Sequence, residues 1–135
     1  MKKHILILIF LIGAHHLQAQ EPAPLNKDQT LDYIEKLAKS SYKLKDFKIS
    51  SVEIDGNNIA ITYNDGEIVR KDLNLPYPLV ISKQKCGFHV LYDNESIDAI
   101  IGCLQLEDDA KRLKKALEHL IEILKTEKNS DPFAD

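Results

Sequence analysis

Cys86, Cys103 and His89, which stands three residues after the first cysteine, are the side chains of this chain best suited to chemistry. Cysteine and histidine at short spacing can hold zinc, whereas two cysteines in an oxidising compartment pair as a disulfide. Which of these applies depends on the faces the side chains share. On a regular strand, positions three apart point to opposite faces, so Cys86 and His89 are not expected to share an ion unless the strand bulges. The two cysteines are expected to pair with each other. Residues 88–93 and 97–104 alternate as a hairpin around Asn94 and Glu95, which would set Cys86 opposite Cys103, Phe88 opposite Ile101, Val90 opposite Ala99 and Tyr92 opposite Ile97. Directly opposed α-carbons lie about 4.5–5.5 Å apart, inside the range of about 4.4–6.8 Å that a disulfide spans. Alternatively Asn94 or Ser96 caps a short helix over residues 97–101, and that facing geometry is lost.

The remaining candidates have plainer readings. His119 falls beside an apolar helical stripe and is expected to pack or be solvated, because no second titratable group stands at a diagnostic spacing. Ser40, Ser41, Ser50 and Ser51 lack the glycine-flanked elbow that presents a nucleophile. Residues 55–58, Asp-Gly-Asn-Asn, and 64–67, Asn-Asp-Gly-Glu, offer oxygen ligands without the twelve-residue calcium-loop pattern, and both read as hairpin turns. Asn94-Glu95-Ser96 fits the N-glycosylation pattern, with chance as the default explanation. Lys111, Arg112, Lys114 and Lys115 are surrounded by Asp108, Asp109 and Glu118, which describes a solvated helix face. No catalytic residue, cofactor site or metal site is expected.

These side chains depend on an alternating frame. Asn26 and Gln29 form a capping-box variant, and Leu31, Ile34, Leu37 and Ala38 mark one face of a helix over about 27–41. From Lys48 the period changes to two. Val52 and Ile54 are expected to pair with Ile61 and Ile59 around a Gly56-Asn57 turn, which puts every large apolar residue on one side. A further strand over about 67–75 follows the Asp65-Gly66 turn, preferably through a three-residue loop with a glycine bulge that would place Val69 opposite Tyr63. Pro76 and Pro78 suit a corner or an edge, and a short strand is expected over 79–82. Leu106, Ala110, Leu113, Leu117, Leu120 and Leu124 then stripe a long helix over about 108–128, with acids at its start and lysines at its end.

Residues 1–19 have the layout of a secretory signal peptide: Lys2 and Lys3, an apolar run over 5–12, then a polar stretch ending at Ala19. The run is far short of the roughly 20 residues that cross a bilayer, so no integral membrane segment is expected after cleavage. Residues 20–26 read as a lead-in, 27–128 as a single domain and 129–135 as a tail. The mature chain, about 116 residues, suits one core. The formal net charge of −3 becomes about −5 when Lys2 and Lys3 leave, because no acid leaves with them. With lysines standing beside acids, as in Lys45-Asp46 and Lys71-Asp72, the chain lacks the basic face of a nucleic-acid binder.

Two hairpins, a corner, further strands and a terminal amphipathic helix give an α+β chain with an antiparallel bent sheet of about six strands. The closing segment over 109–121, Asp-Ala-Lys-Arg-Leu-Lys-Lys-Ala-Leu-Glu-His-Leu-Ile, resembles the last helix of small exported bacterial proteins of the pleckstrin-homology-like kind. That resemblance implies a half barrel capped by a C-terminal helix. Phosphoinositide binding does not follow from it, since no basic strand-loop motif matches. The expected function is a noncatalytic periplasmic or secreted module that binds a protein or peptide or supports an envelope assembly. The alternatives are a small-molecule carrier or minor hydrolase whose site forms only in three dimensions, and an inhibitor or immunity-type protein.

Overall fold

The computed structural model describes residues 23–44, 46–95 and 98–130. The leader over 1–19 lies outside the described residues, as do Ser96, Ile97 and the last five positions. The order of elements is α1 (Lys27–Ser41), β1 (Ile49–Asp55), β2 (Asn58–Tyr63), β3 (Ile68–Asp72), β4 (Leu79–Gln84), β5 (Gly87–Tyr92), β6 (Ala99–Leu104) and α2 (Glu107–Ser130). The strands form two antiparallel three-stranded sheets, ordered β1-β2-β3 and β4-β5-β6. Among the described residues no ladder joins the two sheets, so the fold is α+β without a closed barrel.

α1 starts where the capping residues place it. The Asn26 side chain accepts from the Gln29 backbone N–H at 2.9 Å, and Gln29 Oε1 accepts from the Asn26 N–H at 3.1 Å. Two orphan donors of the first turn are thereby satisfied. Ile34, Leu37 and Ala38 are buried along the inner face.

The first sheet follows its turns. Ile54 faces Ile59 and Val52 faces Ile61, with Gly56 at a φ of 61° in the connecting turn. Between β2 and β3 the Tyr63 N–H donates to the Glu67 carbonyl at 2.8 Å and the Gly66 N–H to the Tyr63 carbonyl at 3.0 Å, closing a three-residue loop with Gly66 at a φ of 89°. The glycine bulge is the expected one, but Val69 faces Ile61 rather than Tyr63. The loop itself uses Tyr63 to close on Glu67, so Val69, two residues on, meets the residue two before.

The second sheet departs further from the period-two reading. β4 continues to Gln84, two residues beyond the expected end, and a two-residue turn of Lys85 and Cys86 returns the chain with Gln84 opposite Gly87. Cys86 is therefore a turn residue rather than part of a strand. Phe88 faces Leu104, Val90 faces Ile101 and Leu91 faces Ala99. The expected partners of Phe88 and Val90, Ile101 and Ala99, are displaced because β6 carries extra residues against β5, first between Leu104 and Ile101 and again between Ile101 and Ala99. The expected meeting of Tyr92 with Ile97 lies outside the described residues.

Both helices close the core. α1 packs on β1, α2 packs on the second sheet, and the helices pack on each other. Ala110, Leu113, Ala116, Leu117 and Leu120 of α2 are buried with Ile34, Ile59, Ile61, Val90, Ile101 and Leu104. Each large aliphatic side chain so buried contributes about 1.5–3 kcal/mol relative to exposure. Leu106 is 60 % exposed and precedes α2, so the stripe begins at Ala110. Ser41, buried at the end of α1, donates from Oγ to Asp109 Oδ2 at 2.8 Å and ties the first turn of α2 to it. No helix among the described residues is long and apolar enough to cross a membrane.

Candidate functional site

The Cys86–Cys103 disulfide is formed, with α-carbons 4.9 Å apart. It joins the β4–β5 turn to a bulge in β6, and Cys103 takes a φ of 58°, the single positive value at a non-glycine among the described residues. The bulge is held from outside the sheet. The Lys43 N–H donates to the Cys103 carbonyl at 2.9 Å, and the Gln105 N–H donates to the Ser41 carbonyl at 2.9 Å. Gly87, at a φ of 148°, lies so close to β6 that an added Cβ would stand 2.2 Å from the Leu104 carbonyl oxygen.

His89 joins this pair. Its Nε2 is 3.2 Å from Cys86 Sγ and 3.9 Å from Cys103 Sγ, which corrects the expectation that Cys86 and His89 point apart. The alternation rule applies only within a strand, and Cys86 has already left it for the turn. The imidazole rests over Gly102, where an added Cβ would meet Nδ1 at 2.9 Å. Burial pushes His89 below the ordinary histidine value, so the neutral form is favoured. A signal for this cluster was present in the sequence: Gly87 directly after Cys86 and Gly102 directly before Cys103 mark a turn and a bulge at both cysteines.

The other candidates are tied into the scaffold. His119 Nε2 donates to the Leu25 carbonyl at 2.7 Å and fastens the lead-in to α2. The groove beside it, of about 610 Å³, is open to solvent and includes Asp28 and Glu127, but Glu127 is engaged by Lys27 at 2.8 Å. A recess of about 160 Å³ between Lys71, Asp72, Tyr92 and Asp98 is smaller than the roughly 300–1,000 Å³ of small-molecule sites. In the basic cluster of α2, Lys111 pairs with Glu107 at 3.0 Å and Lys114 with Glu118 at 2.6 Å. The Asp-Gly-Asn-Asn and Asn-Asp-Gly-Glu segments are the hairpin turns they were expected to be.

Each sheet has one edge covered and one left open. On β1 the Val52 N–H donates to Glu35 Oε2 of α1 at 2.9 Å, and Lys39 also binds Glu35, holding its carboxyl below the usual range. On β6, Tyr42 bridges Leu104. The other two edges differ. The Glu67 carbonyl accepts from the Tyr63 N–H of β2 and the Leu73 N–H donates to the Asn57 carbonyl just before β2, each at 2.8 Å, so strand alternation turns the backbone groups of Ile68, Arg70 and Asp72 outward. The Pro78 carbonyl accepts from the Asp93 N–H at 2.8 Å, and the same alternation turns the backbone groups of Leu79, Ile81 and Lys83 of β4 outward. Among the described residues no strand pairs with the outer side of β3 or of β4. These edges are consecutive in the chain, joined through Pro76, Tyr77 and Pro78, with Tyr77 47 % exposed.

No family model matches the chain, and no curated protein or solved structure matches it.

Proposed function

We propose that this protein is an exported, noncatalytic module that binds an extended peptide or protein segment by adding it as a strand, in recognition or in assembly of the cell envelope. The observation that carries the reading is the pair of open edges, β3 and β4, on sheets whose other edges are covered. An edge strand offers a row of backbone donors and acceptors that an incoming strand can satisfy, while alternate side chains set selectivity. Ile68 and Tyr77 are exposed beside these rows and offer apolar contacts, while Arg70, Asp72 and Lys83 discourage indiscriminate pairing. Periplasmic or secreted location rests on the leader-like layout of residues 1–19 and agrees with the disulfide. Helix-capped antiparallel sheets are in keeping with the pleckstrin-homology-like likeness, which we propose as one of organisation only.

The test uses the outward geometry. Proline at position 70 or 81, as Arg70→Pro or Ile81→Pro, removes an outward N–H without removing a ladder bond. A peptide selected on the wild-type protein should lose at least about tenfold in affinity to one of these variants, about 1.4 kcal/mol. Circular dichroism checks that each variant is folded. Equal binding by both folded variants, or no peptide bound by the wild type, overturns the reading.

A further inference from the structure

Cys86, His89 and Cys103 form one cluster around the disulfide. All three donor atoms lie within 4.8 Å of one another. We propose that reduction of the Cys86–Cys103 disulfide uncovers a zinc site made of two thiolates and the His89 imidazole, so that this corner of the molecule exchanges a covalent bond for a metal according to redox state.

Three features of the fold support the assignment. The donors are a Cys₂His set, which suits Zn²⁺ with a fourth position left for water or another ligand. The backbone already brings both sulfurs to one place: Cys86 is presented by the β4–β5 turn, and Cys103 by a bulge whose carbonyl is held by the Lys43 N–H at 2.9 Å. Parting the sulfurs to about 3.8 Å, the edge of a tetrahedron with metal–sulfur bonds of about 2.3 Å, therefore asks for side-chain rotation rather than refolding. Third, His89 is placed before any metal arrives. Its ring occupies the space that a side chain at position 102 would fill, with Nε2 toward the sulfurs.

The chemistry balances simply. An external dithiol supplies two electrons and two protons, its own sulfurs joining as a disulfide while the Cys86–Cys103 bond breaks to two thiols. Zinc then displaces one proton from each thiol to solvent, and neutral His89 binds through Nε2 with no proton change. In the reverse direction an external disulfide accepts the two electrons by thiol–disulfide exchange and leaves as a dithiol that takes its two protons from solvent, while the Cys86–Cys103 bond re-forms, both thiolate ligands are lost and the ion is expelled.

The experiment compares the full mature chain oxidised and reduced. After phosphine reduction and removal of the phosphine without oxygen, Zn²⁺ is titrated against a chromophoric chelator, and Co²⁺ is used to read sulfur-to-metal absorption. The expected result is one equivalent bound by the reduced protein and none by the oxidised protein. His89→Ala should weaken binding at least about tenfold, the scale already reached when only an outer partner of a metal ligand is lost. Gly102→Ala, which displaces the ring while leaving all three donors, should weaken it to a lesser extent. Reduced protein that binds no better than the Cys86→Ser, Cys103→Ser double variant overturns the proposal, as does His89→Ala binding like wild type. If reduction unfolds the chain, recovery of the native circular dichroism at one equivalent of zinc supports the site, and failure to recover it overturns it.

Discussion

The first sheet and the second reach the same three-stranded antiparallel form by different means. In the first, glycines at φ values of 61° and 89° sit in turns open to solvent, where an added Cβ would meet nothing within 4 Å. In the second, Gly87 is pressed against the Leu104 carbonyl, Cys103 takes a left-handed conformation, and a disulfide and a histidine stand over the irregularity. Hairpin turns settle register in the first sheet, apart from one shift between Ile49 and Ser51 at the far end of β1. In the second, register depends on contacts between separate segments: the end of α1, the β4–β5 turn and the bulged β6. Regularity is cheap to encode locally, whereas a bulge with a non-glycine at positive φ persists only when its surroundings determine it.

Glycine substitutions give the sharpest break between the two. Gly87→Ala should cost on the order of 3 kcal/mol or prevent folding, since the obstruction is backbone and φ is unfavourable as well. Gly56→Ala, with open space around it, should cost only about 1 kcal/mol through its positive φ. Urea unfolding of the two variants reads the difference directly, and equal costs would show that the second sheet is no more constrained than the first.

Removal of the disulfide comes next. The Cys86→Ser, Cys103→Ser variant should lose about 2–3 kcal/mol, less than an unconstrained loop would predict if the β5–β6 hairpin that the bond closes already forms in the unfolded chain. Hydrogen exchange should show faster opening of β5 and β6 than of β1 and β2; uniform acceleration would mean that the bond supports the whole core. A smaller effect belongs to the covered edge of β1. Glu35→Gln keeps an acceptor for the Val52 N–H but removes the charge bound by Lys39, and should cost about 1 kcal/mol or less at this partly exposed site. Because Lys39 and the Val52 N–H hold the Glu35 pKa down, its contribution is present above about pH 4.5 and is lost as the pH falls through the lower folded value. A wild-type minus Glu35→Gln difference that stays constant from pH 7 to pH 3 would remove Glu35 from this account.

The smallest expected effect is also the most local. Burial depresses His89, so the folded protein favours the neutral ring, and stability falls as the pH drops below about 6.5, where the unfolded chain takes up the proton first. The decline ends near the lower folded value. His89→Gln should abolish it, as measured by urea midpoints between pH 7 and 5; an unchanged slope would place the dependence elsewhere.

Much of the first sheet was legible because its information is local. Asn26 with Gln29, Asp55-Gly56-Asn57-Asn58 and Asp65-Gly66 each define a cap or turn within a few residues, and the apolar alternation of Val52, Ile54, Ile59 and Ile61 agrees with the first hairpin. The offset of Val69 shows the limit even there, since it depends on which residues close the loop. The cysteine pairing was legible from residue type and proximity, but the route to it was not. Both the end of β4 at Gln84 and the extra residues in β6 shift the pair out of a simple cross-strand arrangement.

The amino-acid order alone determined the helix faces, the caps, the first hairpin and the pairing of Cys86 with Cys103, because periodicity, turn chemistry and thiol reactivity act over short distances or on residue type. Tertiary structure decided that His89 would stand over the two sulfurs and that β3 and β4 would be the open edges. Both outcomes require segments far apart in sequence to meet: Ser41 and Lys43 with β6 for the first, and Glu35 with β1 beside the Tyr42 bridge to Leu104 for the second. A bulge or a covered edge arises from the partner that fills or faces it, and no repeat along a single strand carries that partner's position.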